Sequence, residues 1–250
     1  MMEDPDPEAW SPLRERRPLA ERAAEFLTSR ILAGEWETGD YLPTEPDLCA
    51  RLGVGRSTIR EAIRVLELRG LVRSQHGVGV EVVDNSQQAA SNLLNLVLAY
   101  RRTPLEQVIE ARNAIESQAA LLAVHRADEA DLAAMRKALR QMEDPDISPL
   151  DYANADLAFH MSVAAASRNN VILLFLETIR PIIMNVIVKT LEADPRPEAR
   201  LHYHRAILTA LERRDPVEVE KAVASHMQGA NALLKSVPED WIAAPVTTGS

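Results

Sequence analysis

The sequence predicts a mainly α-helical protein in two parts: three helices and a β-hairpin, then an all-α bundle of about six to seven helices. Three observations lead there. Apolar residues recur at helical spacing through most of the 250 residues. Valine-rich extended pattern occurs in one place, Leu71 to Ser74 and Val78 to Val83, on either side of the turn Gln75-His76-Gly77. A polar stretch without pattern, Asp84-Asn85-Ser86-Gln87-Gln88, then separates the hairpin from the helices that follow. These divide the chain into a first domain over 15–84, a linker over 85–91 and a helical domain over 92–235, with flexible tails at 1–14 and 238–250.

Pro18 to Trp36 has apolar residues at 19, 23, 26, 27, 31 and 32, the spacing of an amphipathic helix that stops near Gly34. Gly39 to Pro43 turns the chain. Thr44, with Asp47 three residues on, suits the cap of a short helix reaching Leu52, and Gly53-Val54-Gly55 makes a tight turn into the next helix. Two helices joined by a three-residue glycine turn is helix-turn-helix spacing, and the hairpin after them is a wing. Over Arg56 to Arg69, a rotation of about 100° per residue gathers Ile59, Ala62, Ile63 and Leu66 in one sector. Arg56, Arg60 and Arg64 fall in the adjacent sector, with Ser57 beside them.

From Asn92 to Lys235 every segment reads as helix. Breaks at Arg101 to Pro104, Arg126 to Asp128, Asp144 to Pro149, Arg168 to Asn170, Ala193 to Pro197 and Arg214 to Pro216 leave about seven helices rich in Ala and Leu. The most apolar run, Val171 to Val188, has Glu177, Arg180 and Pro181 in its middle. Charges at that depth are costly in a bilayer, so the run predicts a buried helix kinked at Pro181 and no membrane partner.

Composition excludes several classes. A hydrophobic content of 46% is ample for packed cores, and Cys49 alone cannot form an intramolecular disulfide. The N-terminus MMEDPDPEAWSPLRERR lacks a basic region followed by an apolar core, so a reducing cytoplasm is the expected compartment. The net charge of −9 argues against general polyanion binding. Yet from Arg51 to Gly79 six arginines face two glutamates, Glu61 and Glu67, a local excess of four positive charges. A solvated face with internal ion pairs would account for the arginines alone; the glycine turn, short preceding helix and following hairpin point instead to nucleic acid. Arginine suits that task because its planar fork donates two hydrogen bonds at once to a phosphate or to the O6/N7 edge of guanine.

A second constellation lies in the helical part. Asp156 and His160, four apart in YANADLAFHMSVAAAS, point the same way about one turn apart, the geometry a metal ion needs from two ligands. His204 in LHYHRAILTAL and His226 in AVASHMQGA fall in helices of their own, so three helices can converge on one site. Each histidine alone is more commonly a surface or satisfied core residue, and periodicity does not rank His204 above His202, or either above His125.

Pro43-Thr44-Glu45, Leu48, Leu52-Gly53-Val54, Arg56-Ser57-Thr58, Ile59-Arg60-Glu61-Ala62, Leu66 and Gly70-Leu71-Val72 resemble the winged helix of the GntR family of bacterial transcription regulators. The resemblance implies that Arg56, Ser57, Thr58 and Arg60 address bases and phosphates in the major groove; Arg64 reads as a phosphate contact or a solvated residue, and Thr44 and Glu45 are counted at the same surface. It places His76 and Gly77, at the wing tip, against the minor groove or backbone. Many members have an arginine where Pro46 stands and a Ser or Thr at Gly55; this chain lacks that guanidinium and that hydroxyl. Residues 92–235 resemble the all-helical FCD domain of the FadR-type subfamily, which implies Asp156, His160, His204 and His226 as the ligands of one metal. One carboxylate and three imidazoles suit Zn²⁺ or Ni²⁺ over Mg²⁺ or Ca²⁺. The resemblance further implies a small organic-acid effector, with Arg112 as its clamp; an ordinary pair of Arg112 with Glu116 one turn later is the competing reading.

The expected protein is therefore a homodimeric repressor that binds a palindromic operator on double-stranded DNA and responds to a carboxylate metabolite at a metal site. The alternative from another class is a metal-dependent hydrolase that uses the Asp/His₃ group to activate water, though no residue such as the Glu of His-Glu-x-x-His stands out as its general base. In a third reading the Asp and His residues are structural and hold no metal.

Overall fold

The computed structural model describes residues 17–193 and 198–234; the expected tails at 1–14 and 238–250 lie outside them. Among the described residues there are ten helices and one two-stranded antiparallel sheet. The chain divides between Ala89 and Ala90 into two compact units.

The first unit holds α1 (Leu19–Leu32), α2 (Glu45–Leu52), α3 (Arg56–Leu68), β1 (Val72–Gln75) and β2 (Gly79–Val82). Helix α1 ends as the glycine predicts: Gly34 has φ +77°, and Glu35 N–H donates to Arg30 O at 3.1 Å. Its buried face differs from the expected one. Ala23, Ala24 and Leu27 are buried, whereas Leu19, Phe26 and Leu32 are exposed. The cause is the neighbour, since α1 packs on α3 through a close alanine contact of Ala23 and Ala24 with Ala62 that admits no large side chain.

Helix α2 is capped by Thr44, which accepts from Asp47 N–H at 3.4 Å and donates to Asp47 Oδ2 at 2.6 Å. Gly53 closes it at φ +66°. Helix α3 then buries Ile59, Ala62, Ile63 and Leu66, the four residues of its predicted apolar sector. With Leu27, Leu42, Leu48, Val72 and Val82 they form the core of this unit. The hairpin pairs Val72 with Val82 and Gln75 with Gly79, and the segment Gly39 to Leu42 bonds to its outer edge, Leu42 N–H to Val80 O at 2.8 Å.

The second unit contains α4 (Ser86–Tyr100), α5 (Leu105–Arg126), α6 (Glu129–Met142), α7 (Pro149–Ala166), α8 (Asn170–Ala193), α9 (Glu198–Glu212) and α10 (Pro216–Leu234). The segment 85–91, read as a linker, contains the point of division and is helical: α4 begins at Ser86 and passes through it. Its polar residues lack hydrophobic pattern but not helix propensity, and Ala89 N–H donates to Asn85 O at 3.0 Å to start the ladder.

Helix boundaries in this unit follow local chemistry. Asp128 and Asp131 form a reciprocal capping box at α6, and Ser148 caps α7. Arg102, Arg168 and Arg214 occupy the left-handed region that usually favours glycine, at φ 50°, 52° and 56°. Two of these guanidinium groups offset the strain: Arg168 bonds to Asp128 and Asp131, and Arg214 donates to Val124 O at 2.9 Å and Ala127 O at 2.6 Å. Helix α8 runs unbroken through Pro181 and is long and apolar enough to cross a membrane by length and composition. One side of it packs Leu176, Ile182, Ile183, Val186 and Ile187 into the helical core, whereas Val171, Leu174 and Phe175 are exposed, so the expected burial holds for one face of the helix only.

Candidate metal centre and nucleic-acid interface

Helix α3 separates packing from presentation. Its apolar sector is buried, while Arg56, Ser57, Arg60 and Arg64 are exposed and Thr58 is half-buried. The arginines are not equivalent. Arg60 Nε donates to Glu45 at 3.0 Å and 3.2 Å, an ion pair across the helix-turn-helix between the first residue of α2 and the middle of α3. Arg64 is paired with Glu61 at 3.1 Å. Arg56 is exposed and forms no ion pair among the described residues. Of the flanking cations, Arg69 donates to Thr28 Oγ1 at 2.8 Å, and Arg73 pairs with Glu81 at 2.8 Å. Of the six arginines in the predicted patch, Arg60, Arg64 and Arg73 are ion-paired, and Arg56 is the one on α3 without a carboxylate partner among the described residues.

The remaining residues expected at this surface are placed as follows. Glu45 is spent on Arg60, and the Thr44 hydroxyl on Asp47. His76 and Gly77 are exposed at the hairpin tip, Gly77 at φ +75°. Gly55 is the N-cap of α3 and supplies no side-chain cap, as its lack of a hydroxyl predicts.

In the helical unit, α7, α9 and α10 bring Asp156, His160, His204 and His226 together, all buried. The spacing of four on α7 turns Asp156 and His160 to one face. His204 Nε2 lies 3.3 Å from His160 Nε2 and 3.1 Å from Asp156 Oδ1, and Asp156 Oδ2 is 3.7 Å from His160 Nε2. The ring of His226 sits 4.8 Å from that of His160 and 4.7 Å from that of His204. His125 and His202 are exposed, and His202 stacks on Tyr203 at 3.7 Å. Two positions from His204 on a helix is a turn of about 200°, which sends His202 outward.

What lies behind the rings sets their tautomers. His204 Nδ1 is 3.1 Å from Arg200 O, a carbonyl that can only accept, so Nδ1 carries the proton. Glu116, which sequence reading raised solely as a partner for Arg112, has Oε2 at 2.9 Å from His160 Nδ1. That oxygen has no other donor, and its angle to the ring is off the ideal hydrogen-bond direction, yet two lone pairs at this separation would repel; His160 Nδ1 is protonated too. Both Nε2 atoms and the Asp156 carboxylate then converge on one point, where a proton or a metal ion must sit between them. Three buried acceptors face one point, an arrangement that a shared cation satisfies.

The donor set fits a divalent transition ion. Two imidazole nitrogens on one tetrahedral ion with bonds of ~2.1 Å stand roughly 3.4 Å apart, close to the His160–His204 separation of 3.3 Å. Ligand atoms of the three histidines all lie within 4.8 Å of one another.

The electrostatics agree with an anionic centre. Burial pushes the Asp156 carboxyl up, but His204, His160 and Arg112 outweigh it and hold Asp156 well below the usual carboxylate range. Glu116 is likewise held low, where Arg112 and His160 overcome burial. Burial, reinforced by His204 and His160, keeps His226 neutral well below the ordinary imidazole value. Arg112 is buried and donates from Nε to Glu116 Oε1 at 2.5 Å, so its pair with Glu116 is formed. Beside His160 lies a mainly apolar cleft lined by Ala119, Phe159, Val163, Ile207 and Met227, with Glu116 and His160 as its polar members. It encloses about 280 Å³, part of it open to solvent, whereas the room for a whole water molecule is about 10 Å³, roughly one water.

A helix-turn-helix with a wing, in one chain with a helical domain built around buried imidazoles, defines a class: transcription regulators that join a DNA-binding head to a separate helical domain. Comparison with known proteins agrees. Residues 19–82 match the family described as bacterial regulatory proteins, gntR family, and residues 107–229 match the FCD domain. The chain is 30% identical over 224 residues to the Glc operon transcriptional activator of Escherichia coli K12, covering 86% of this chain and 88% of that one. It is 26% identical over 215 residues to the HTH-type transcriptional regulator LutR of Bacillus subtilis, covering 84% and 98%. Among solved structures, Streptococcus agalactiae GntR superposes with a TM-score of 0.69 at 27% identity, over 85% of this chain and 99% of that one. The chain belongs to the GntR family, with an FCD domain as its second part, and is a transcription regulator. Its relatives are regulators too, which sets aside the hydrolase alternative.

Proposed function

We propose that the protein is a homodimeric repressor whose binding to a palindromic operator is controlled by a small carboxylate bound at a Zn²⁺ or Ni²⁺ ion in the FCD domain. The observation behind this reading is the meeting of three buried acceptors, His160 Nε2, His204 Nε2 and the Asp156 carboxylate, with His226 beside them. Asp156, His160, His204 and His226 hold the ion, which supplies an electrophilic position for the effector's carboxylate. Arg112 keeps Nε on Glu116, and its two terminal amino groups are the assigned clamp for that carboxylate. Effector binding at this ion is the event passed to the DNA-binding heads.

At the operator, Arg56 and Arg60 read bases, supported by Ser57 and Thr58, with Arg64 at a phosphate. Thr44 and Glu45 form the edge of the surface, and His76 and Gly77 approach the minor groove. Two-fold symmetry of the dimer is the reason to expect an inverted repeat. The test joins both halves. Dialysed protein is assayed for bound metal, then for footprints on genomic DNA with and without a panel of short organic acids. Metal near one equivalent per chain, an inverted-repeat footprint and its loss with one acid are expected. Protein that holds no divalent ion, or binds random and genomic duplexes alike at moderate salt, refutes the reading. A promoter fusion reports the sign of control, and transcription that rises with added regulator would replace repression by activation, the role named for the Escherichia coli relative.

A further inference from the structure

Behind the proposed ligands lies a buried carboxylate that the DNA-binding and metal-binding roles above leave unused. Glu116 is 5% exposed and Arg112 6%, so α5 places a full ion pair inside the helical domain, where desolvating two charges is costly unless geometry compensates. One oxygen of Glu116 is spent on Arg112, at 2.5 Å from Nε. The other is buried, receives no hydrogen bond of good geometry from any group, and lies 2.9 Å from His160 Nδ1. A buried carboxylate oxygen in that position calls for a proton on the nitrogen it faces.

We infer that Glu116 is the positioning residue for His160: it holds the proton on Nδ1 and thereby aims the Nε2 lone pair at the metal position, with Arg112 as its buried counter-ion. The inference rests on the metal reading above. Three steps connect the geometry to the effect. The protonated Nδ1 fixes which nitrogen can ligate. The carboxylate behind the ring raises the basicity of Nε2, as outer carboxylates do for metal-bound imidazoles. Arg112, bonded to the other oxygen at 2.5 Å, gives that buried carboxylate its counter-charge. His204 obtains the same orientation from the backbone carbonyl of Arg200, at 3.1 Å. The two rings are therefore oriented by different means, one by helix backbone and one by a side chain that substitution can remove.

A solely structural ion pair would hold α5 in place without affecting the ligand. Two double variants separate the possibilities while leaving no lone buried charge. R112M/E116Q removes both charges but keeps an oxygen that can accept from Nδ1–H; R112M/E116M removes the acceptor as well. Co²⁺ affinity is measured by competition with a chromophoric chelator, alongside the visible spectrum of the Co²⁺ complex and far-ultraviolet circular dichroism. R112M/E116M is expected to bind Co²⁺ roughly 10–100-fold more weakly with an altered spectrum. R112M/E116Q is expected to retain most of the affinity. Equal affinity in R112M/E116M and the parent, or equal weakening in both variants, overturns the inference.

If R112M/E116M does not fold, the parent protein decides. With ¹⁵N-labelled histidine, and with His160 assigned by its loss in H160N, the metal-free protein is expected to show the proton of His160 on Nδ1. A proton on Nε2 overturns the proposal. Failure of the parent to bind Co²⁺ at all brings down the metal reading and this inference with it, an outcome distinct from a parent that binds and variants that match it.

Discussion

Arg56 and Arg60 stand one turn apart on the same helix face, yet they are held differently. Arg60 is oriented by Glu45, whereas Arg56 is free to move toward whatever approaches. R56A and R60A are each expected to weaken operator binding by an order of magnitude or more, from loss of a bidentate contact, and to flatten its salt dependence. E45A should lower discrimination between operator and random DNA while barely changing the thermal midpoint, because an exposed ion pair contributes ~0–1 kcal/mol. Titrations on both duplexes at two salt concentrations check this, and unchanged discrimination in E45A would deny Glu45 its orienting role. In the helical domain, D156A should spare DNA binding and abolish release by effector.

The ionisable residues of the centre also set a pH dependence for metal-free protein. Asp156 and Glu116 are depressed in the folded state, so the unfolded chain, with ordinary values of 3.8 and 4.5, takes up protons first as pH falls. His226 acts in the same direction below its ordinary 6.5, since it resists protonation when folded. In each case the unfolded state binds more protons, so stability declines on acidification. Thermal midpoints of chelator-treated protein should fall from pH 7 towards pH 4, first through His226 and then through the carboxylates. A flat profile over that range would contradict the assigned burial.

At the level of elements, Gly70 is the most exacting position in the first unit. Its φ is +72°, and a Cβ built there would lie 2.4 Å from Asn85 O and 2.8 Å from Ser86 N, backbone atoms that cannot step aside. G70A combines left-handed strain with overpacking at the junction of α3, β1 and α4, and should destabilise this unit by roughly 2–6 kcal/mol. Denaturant unfolding followed by a probe in the first unit measures it; a change under 1 kcal/mol would be inconsistent with this contact. Elements also show where local pattern sufficed. The buried face of α3, the Thr44 cap and the Gly53 turn were legible because each depends on residues within a turn of one another. The face of α1 was not, because alanine at 23, 24 and 62 became the contact only when two helices met. Segment 85–91 looked like a linker for want of hydrophobic contrast, a cue that says nothing of helix propensity.

For the whole molecule, regulation requires that the helical domain and the winged head respond to one another. Stripping metal with a chelator should leave operator affinity measurable but insensitive to the effector, and restoring Zn²⁺ or Ni²⁺ should restore the response. Sedimentation is expected to give a dimer, and changing the spacing of the operator half-sites by half a helical turn should abolish cooperative binding. Release by effector from fully stripped protein would sever sensing from the metal.

The sequence by itself determined the class of this protein and most of its elements, because helical periodicity, caps and glycine turns are written in residues three or four apart. It also nominated Asp156 and His160 as a pair, for the same reason. Tertiary structure decided the rest. His204 is 44 positions from His160 and Glu116 lies on yet another helix, so their meeting depends on how α5, α7, α9 and α10 pack and not on any spacing along the chain. Packing likewise set Arg60 against Glu45 on the preceding helix, since a side chain's partners are chosen by what the fold brings within a few ångströms, whereas the pair of Arg112 with Glu116, one turn apart on α5, was already legible in the spacing.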